Sequence, residues 1–395
     1  MITIAFESKR LFQNLTGYGA YSRTLVGDLS EFYAKNRYCL FAHESFEKLS
    51  KSATFLSSEI QRTVNLASVN VVYPPTDTSF YWKLFGAKRQ LRIGKVDVYH
   101  GLTNQLPRSI RGIKVPKILT IHDLIYRHFP KLFPGEDLEG YDRQLRKACS
   151  ISDKIVAVSQ STKNDLINEF SIKPEKISVI YQACDQRFRA RVSTDWKKEI
   201  SIKYGLPEKY LLSVGSMTER KNLLTVVKAM KQIPVKDRLP LVVIGARTSY
   251  TDAVLAYVAK HQLESSLVFP IGVSNDDLPA IYQGAEVFIY TSLYEGFGIP
   301  ILEALASGTP IIASNVSAMP EAGGSDSRLV DPRNVDETSD AINDMLRDSE
   351  LRREMVRKGY IYSNKFSNEI VATQMMNLYQ EAIGCTKENN RIELL

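Results

Sequence analysis

The chain has 395 residues and a formal net charge of +7, with 44% hydrophobic and 24% charged residues. That is about two ordinary domains of globular composition, which excludes a disordered chain. No stretch approaches the roughly 18 uncharged apolar residues that a membrane span needs, and the opening MITIAFESKR lacks the basic start and apolar run of a signal peptide.

The four cysteines (Cys39, Cys149, Cys184, Cys385) have no paired spacing, so they read as reduced thiols of a cytosolic protein, not a zinc site or disulfide frame. The modest positive charge suits phosphorylated ligands, anionic lipid or nucleic acid, and a solvated surface explains it as well.

Along the chain, short apolar runs alternate with helical patterns, the mark of repeated βα units around parallel sheets. In the first half the runs are TIAF, CLFAH, VNVVY, DVYHG, KILTIHD, KIVAVS and ISVIY, with helices expected over Tyr18 to Tyr33, Leu138 to Cys149 and Gln160 to Phe170. In the second half they are YLLSVG, LPLVVIG, SLVFP, AEVFIY, TPIIAS and SRLV. The apolar period fades from Asp185 to Lys198, which places a first domain over 1–187 and a second over 198–367. An amphipathic closing helix, about 368–395, is expected to pack back on the first domain through Ile370, Met375, Met376, Leu378, Tyr379 and Ala382. The fold class is therefore α/β with two doubly wound, Rossmann-like domains, and ligands of such sheets bind beyond the strands' carboxyl ends.

The first domain offers two features. FQNLTGYGAYSRTL sets Gly17 and Gly19 before a helix, although the third glycine of a dinucleotide fingerprint is missing. YWKLFGAKRQLRIGK, 81–95, carries five basic residues with Trp82, Phe85 and Ile93. It reads either as a peripheral contact with an anionic membrane or as a core-facing helix with a solvated basic face.

KILTIHDLIY then ends a buried strand at His122 and Asp123, where functional residues collect, although a lone histidine is commonly just packed. His100 is a weaker candidate, and His128 reads as structural or as part of an acceptor loop.

In the second domain, YLLSVGSMTERKNL runs through Gly215 into Arg220 and Lys221 ahead of a helix near Asn222. Arg offers a planar fork and Lys a mobile point charge, a pair able to neutralise a diphosphate. Further on, AEVFIYTSLYEGFGIPILEALASGTPIIAS ends a strand near Tyr290 and carries Glu295, Gly296, Phe297, Gly298 and Ile299 into a helix opened by Pro300. Two glycines let backbone approach a ligand, and a helix start favours an anion. Glu303 is expected in that helix's first turn, a common dipole partner. Two carboxylates for hydroxyls and two cations for phosphates describe a nucleotide-sugar site.

On these motifs the chain resembles the retaining glycosyltransferases of the GT-B fold, family 4, in the mannosyltransferase-like group 1. EGFGIPILE matches the family's paired glutamates, ERKNL its phosphate element, and SNVSAMPEAGG and LVDPRN its downstream pattern.

The resemblance implies that Glu303 holds the donor ribose and Glu295 the transferred sugar's hydroxyls. It gives Gly296, Phe297 and Gly298 backbone contacts to sugar and phosphates, and has Arg220 and Lys221 stabilise the leaving diphosphate. It places His122 beside the donor sugar, Ile271 and Gly272 near the nucleobase, and Gly17 and Gly19 across the cleft. Relatives often carry Arg where Ala20 stands, so a contact from that side chain is missing here.

No Asp-x-Asp occurs and the histidines lack ligand spacing, so no metal and no cofactor is expected beyond the nucleotide-diphosphate sugar itself. The expected activity is a metal-independent, retaining hexosyltransfer, with GDP-mannose as the first choice of donor and UDP-hexoses open. The expected acceptor is a glycan or lipid-linked saccharide in cell-surface polysaccharide assembly, with no nucleic-acid partner. The expected location is the cytoplasm, or peripherally the inner face of the cell membrane. A nucleotide-sugar epimerase, a phosphorylase, a glycosidase and a non-catalytic nucleotide-sugar-binding protein are the rival readings.

Overall fold

The computed structural model describes residues 1–14, 17–52, 54–74, 91 and 95–392, with side chains except at 108 and 386–392. Most of the basic segment 81–95 lies outside the described residues. The chain forms two compact units, Met1–Ala183 with Phe366–Leu395, and Cys184–Lys365. The fading of apolar period after Asp185 has a local cause: a 3₁₀ turn at Gln186–Phe188 is followed by a largely exposed helix, Thr194–Tyr204, which buries only Ile200.

The first unit holds strands β1 (Thr3–Glu7), β2 (Arg37–Phe41), β3 (Val69–Val72), β4 (Val98–Gly101), β5 (Lys117–Ile121), β6 (Lys154–Ala157) and β7 (Ile177–Val179). They form one seven-stranded sheet in the order β3-β2-β1-β4-β5-β6-β7, parallel throughout. Alternate side chains point to opposite faces. In β1, Ile4 and Phe6 therefore join one apolar layer while Ala5 joins the other. Both faces are covered, as an all-parallel sheet requires.

The helix Asn368–Ile392 belongs to this unit and packs on the helix Tyr18–Phe32. Its Met375, Met376, Leu378, Tyr379 and Ala382 enter the core, while Ile370 turns outward. Asn368 donates to both oxygens of Asp28, at 2.9 and 3.0 Å, and so fixes the helix's start.

The second unit holds β8 (Leu211–Val214), β9 (Leu241–Ile244), β10 (Leu267–Val268), β11 (Val287–Tyr290), β12 (Ile311–Ser314) and β13 (Arg328–Val330). Their order is β10-β9-β8-β11-β12-β13, again parallel. The chain builds outward from β8 to one side, then returns to add β11 on the other. The strand order thus reverses between β8 and β11, where the diverging loops of an open α/β sheet leave a crevice for ligands. Among the described residues no helix is long and apolar enough to cross a membrane.

Candidate active site

Both loops that flank this reversal carry the residues singled out from the sequence. After β8 the chain passes Gly215 and makes a 3₁₀ turn, Glu219–Lys221, before the helix Leu223–Gln232. Asn222 separates turn from helix in a left-handed conformation, φ 60°, one that asparagine tolerates better than most residues. Its side-chain amide donates to the Thr291 carbonyl at 3.1 Å and to the Pro332 carbonyl at 2.6 Å. One side chain thereby ties the Arg220–Lys221 turn to the loops after β11 and β13.

The Arg220 guanidinium lies 2.5 Å from Glu295 Oε1 and the Lys221 ammonium 2.6 Å from the same oxygen. Tyr290, the last residue of β11, donates its hydroxyl to that oxygen at 3.1 Å and accepts from Lys221. The Lys221 ammonium also stands 4.6 Å from the Tyr290 ring centroid, a cation–π contact. Arg220 is held from a second side by the Tyr294 carbonyl at 2.6 Å.

The backbone of Glu295 is fixed by Ser317, whose hydroxyl accepts from Glu295 N at 3.2 Å and donates to its carbonyl at 2.6 Å. Burial alone would push the Glu295 carboxyl up, but Lys221 and Arg220 outweigh it and hold the group down at about 2. Glu295 is therefore a permanent carboxylate at neutral pH. It is an acceptor of hydrogen bonds and not a proton donor.

Gly296, Phe297 and Gly298 follow, all buried, with the Phe297 ring turned inward. Gly298 has φ 124°, and a Cβ there would meet Ile301 Cδ1 at 3.3 Å and Ala322 Cβ at 3.4 Å. It opens the helix Ile299–Ala306, with a proline in the first turn. Glu303 lies deeper than the sequence suggests, since no acidic residue occupies that first turn. The helix starts at Ile299, so Glu303 is one turn in, too far to serve the dipole end.

Glu303 instead accepts a hydrogen bond from Tyr282 at 2.8 Å. Burial raises its carboxyl to about 7, with Tyr282 and Arg187 opposing only in part. The two glutamates are thus electrostatic opposites. A row of rings underlies them: Tyr282 to Phe288 at 5.3 Å and Phe288 to Tyr290 at 5.8 Å.

Gly215 closes β8 at φ 143°, and the aliphatic arm of Lys221 runs past it, 3.5 Å from where a Cβ would be. Ile271 and Gly272 follow the edge strand β10 at its carboxyl end, where Ile271 is 89% exposed.

In the first unit, His122 sits where a strand end was expected but is fully engaged by protein. Its Nε2 donates to the Leu102 carbonyl at 2.9 Å, so Nδ1 is the acceptor and faces Gln182 Nε2 at 3.3 Å. The rings of Tyr18 and Tyr21 pack on it, each with centroids 4.6 Å away. Burial lowers it to about 4, so it is neutral. Gly17 caps the helix Tyr18–Phe32, and Gly19 lies so close to the backbone that a Cβ would fall 1.8 Å from Asn14 O. Gly19 therefore has a packing reason to be glycine. His100 is a core residue bonded to Tyr379 at 2.7 Å and Thr120 at 2.8 Å.

Sequence reasoning passed over Tyr290, Tyr282, Asn222 and Ser317. It also passed over Glu7, buried at the carboxyl end of β1 and 2.8 Å from His43. An acid closing an apolar strand was the available signal for Glu7. Tyrosines inside apolar runs gave none.

Two Rossmann-like parallel-sheet units make this a GT-B fold, with the paired cations and the fixed carboxylate at the strand-order reversal of the second unit. The family model described as glycosyl transferases group 1 matches residues 196–361, and that of glycosyltransferase family 4 matches residues 24–188. The chain belongs to these group 1, family 4 glycosyltransferases.

Among its relatives, the O-antigen chain mannosyltransferase B of Escherichia coli is 28% identical over 95% of this chain and 99% of that protein. The O-antigen chain mannosyltransferase RfbU of Salmonella typhimurium is 29% identical over 57% of this chain and 62% of that protein. HepE of Anabaena, solved in complex with UDP and glucose, has a TM-score of 0.75 at 17% identity, over 96% of this chain and 100% of that one. This last likeness carries the fold alone.

Proposed function

We propose that the protein transfers a hexose, with retention and without a metal ion, from a nucleotide-diphosphate sugar to a glycan or lipid-linked saccharide acceptor in polysaccharide assembly. The observation that carries the proposal is the convergence of Arg220 and Lys221 on one oxygen of Glu295. Two cations crowding one carboxylate oxygen are a ready seat for a diphosphate. When phosphate oxygens take over those cations, Glu295 is released to accept hydroxyls of the transferred sugar.

In the reaction, the acceptor hydroxyl forms a bond to the anomeric carbon on the face that the diphosphate leaves. The carbon–oxygen bond to the diphosphate breaks with its electron pair, and the hydroxyl proton passes to a phosphate oxygen. Arg220 and Lys221 stabilise the charge that grows there. Glu303, with its neighbour Tyr282, takes the ribose.

The mannosyltransferases among the relatives favour GDP-mannose as donor. A glycosidase also uses carboxylates of split pKa, but Arg220, Lys221 and Tyr290 already cover the Glu295 oxygen that such a nucleophile would present. The test is incubation with GDP-mannose, UDP-glucose and UDP-galactose, with and without EDTA, and NMR of the product. Transfer that survives EDTA and keeps the donor's anomeric configuration supports the proposal; an inverted centre or strict metal dependence overturns it. Contact of the basic segment 81–95 with anionic lipid belongs to the same proposal and is checked by liposome co-sedimentation.

A further inference from the structure

We infer that Tyr290 is a positioning residue for the transferred sugar: its hydroxyl keeps the Glu295 carboxylate in place while the donor's diphosphate draws Arg220 and Lys221 away. The inference rests on the nucleotide-sugar reading above. Glu295 stands on a loop, whereas Tyr290 closes β11 and pairs through its backbone with Ala313 of β12. Its ring stacks on that of Phe288, two residues earlier on the same face of the strand, with centroids 5.8 Å and planes 21° apart. The hydroxyl is thus carried on a buried strand, and strands hold a functional group more precisely than loops do.

Arg220, Lys221 and Tyr290 converge on Glu295 Oε1, at 2.5, 2.6 and 3.1 Å. Two of these donors are cations and one is neutral. Burial and the Glu295 charge lift the Tyr290 phenol well above its ordinary 10, so it keeps its proton and remains a donor at any working pH.

A diphosphate competes for the two cations, because its oxygens accept charge-assisted bonds as a carboxylate does. It exerts no comparable pull on a neutral phenol. The Lys221 ammonium has three protons, so it can trade Glu295 for a phosphate oxygen and still donate to Tyr290. Its place over the Tyr290 ring, 4.6 Å from the centroid, favours that retained contact. The chain Lys221–Tyr290–Glu295 then survives the exchange, and the carboxylate keeps a donor that fixes its orientation. Without the hydroxyl, the sugar meets a carboxylate free to turn. The loss falls on the sugar, while the diphosphate keeps both of its cations.

Calorimetry with GDP and GDP-mannose, and with UDP and UDP-glucose, tests this on the full chain in wild type, Tyr290→Phe, Glu295→Gln and the double variant. Tyr290→Phe keeps the ring and its stacking and removes the hydroxyl alone. The expected result is an unchanged affinity for the bare diphosphate and an affinity for the matching sugar nucleotide weakened about tenfold or more, with turnover lowered in parallel. In the Glu295→Gln background the same change should have no further effect, since Tyr290 acts through that carboxylate. Equal weakening of both ligands overturns the inference, as does no change in either, or an undiminished effect beside Glu295→Gln. If Tyr290→Phe alone does not fold, Glu295→Gln and the double variant, which strand no carboxylate, still decide it: equal sugar-nucleotide affinity supports the inference and a further loss overturns it. If the sugar-nucleotide affinity falls as expected and yet no acceptor is glycosylated, the transferase reading fails and the role of Tyr290 in holding the sugar stands.

Discussion

Arg220 approaches Glu295 to 2.5 Å across two loops that follow different strands, and the pair is buried with Lys221 on the same oxygen. Removing Glu295 strands two cations in a site largely closed to water, which costs more than the pair's net worth, whereas removing Arg220 leaves Lys221 to balance the carboxylate. Arg220→Ala and Glu295→Ala are each expected to lower turnover by about 10²–10³ or more, and Glu295→Ala to be the more destabilising, by roughly 3–5 kcal/mol. The Glu295 carboxyl is held at about 2, below its usual 4.5. Its stabilising contribution is therefore complete above pH 4.5 and is lost as pH falls towards 2. Steady-state kinetics and acid denaturation of both variants check this. Near-normal turnover in either one would count against the assignment.

Glu303 makes the opposite case. Burial lifts its carboxyl from 4.5 to about 7. The folded protein keeps a proton that the unfolded chain gives up, so stability falls as pH rises from 4.5 to about 7 and stays low above it. Glu303→Gln removes that penalty while keeping a partner for Tyr282. The variant is expected to be more stable by on the order of 2 kcal/mol at pH 8, to match wild type at pH 4, and to bind nucleotide more weakly. Denaturant titrations at the two pH values decide it, since an equal gain at both would mean that ionisation of Glu303 is not the cause.

The fold was largely legible because parallel strands are buried on both faces and appear as short apolar runs between turns. Each run from TIAF to SRLV became a strand. The positions of Arg220, Lys221 and Glu295 were legible for a related reason: they sit where such runs end. What sequence patterns do not encode is which polar atoms meet. Nothing in AEVFIY says that Tyr290 will share a carboxylate oxygen with Lys221. Nor does HDL reveal that both ring nitrogens of His122 face protein partners. The depth of Glu303 was misread because Pro300 marks a helix start without fixing where the glutamate's side chain finds its partner, here Tyr282 on a neighbouring helix.

Asn222 gives a test of how the cations are positioned without touching them. It combines a left-handed backbone with two buried hydrogen bonds, to the Thr291 and Pro332 carbonyls. Asn222→Ala loses both bonds and is strained by the same backbone angle, an expected cost of roughly 2–4 kcal/mol. Asn222→Gly relieves the strain alone and should recover about 1 kcal/mol of it. If the amide sets the turn, turnover stays low in both variants even where the glycine form is well folded. Full activity in Asn222→Gly would show that the backbone angle suffices.

Gly298 sets the direction in which the helix Ile299–Ala306 leaves the loop of Glu295. At φ 124° an L side chain is strained, and a Cβ would press on Ile301 and Ala322 at 3.3 and 3.4 Å. Gly298→Ala can relax only by turning the backbone, which moves the start of the helix relative to Glu295. The expected penalty is about 1–3 kcal/mol, with nucleotide binding weakened more than the loss of stability alone explains. Nucleotide affinity of the folded variant, measured well below its melting temperature, separates the two effects. Wild-type affinity there would remove this loop from the donor site.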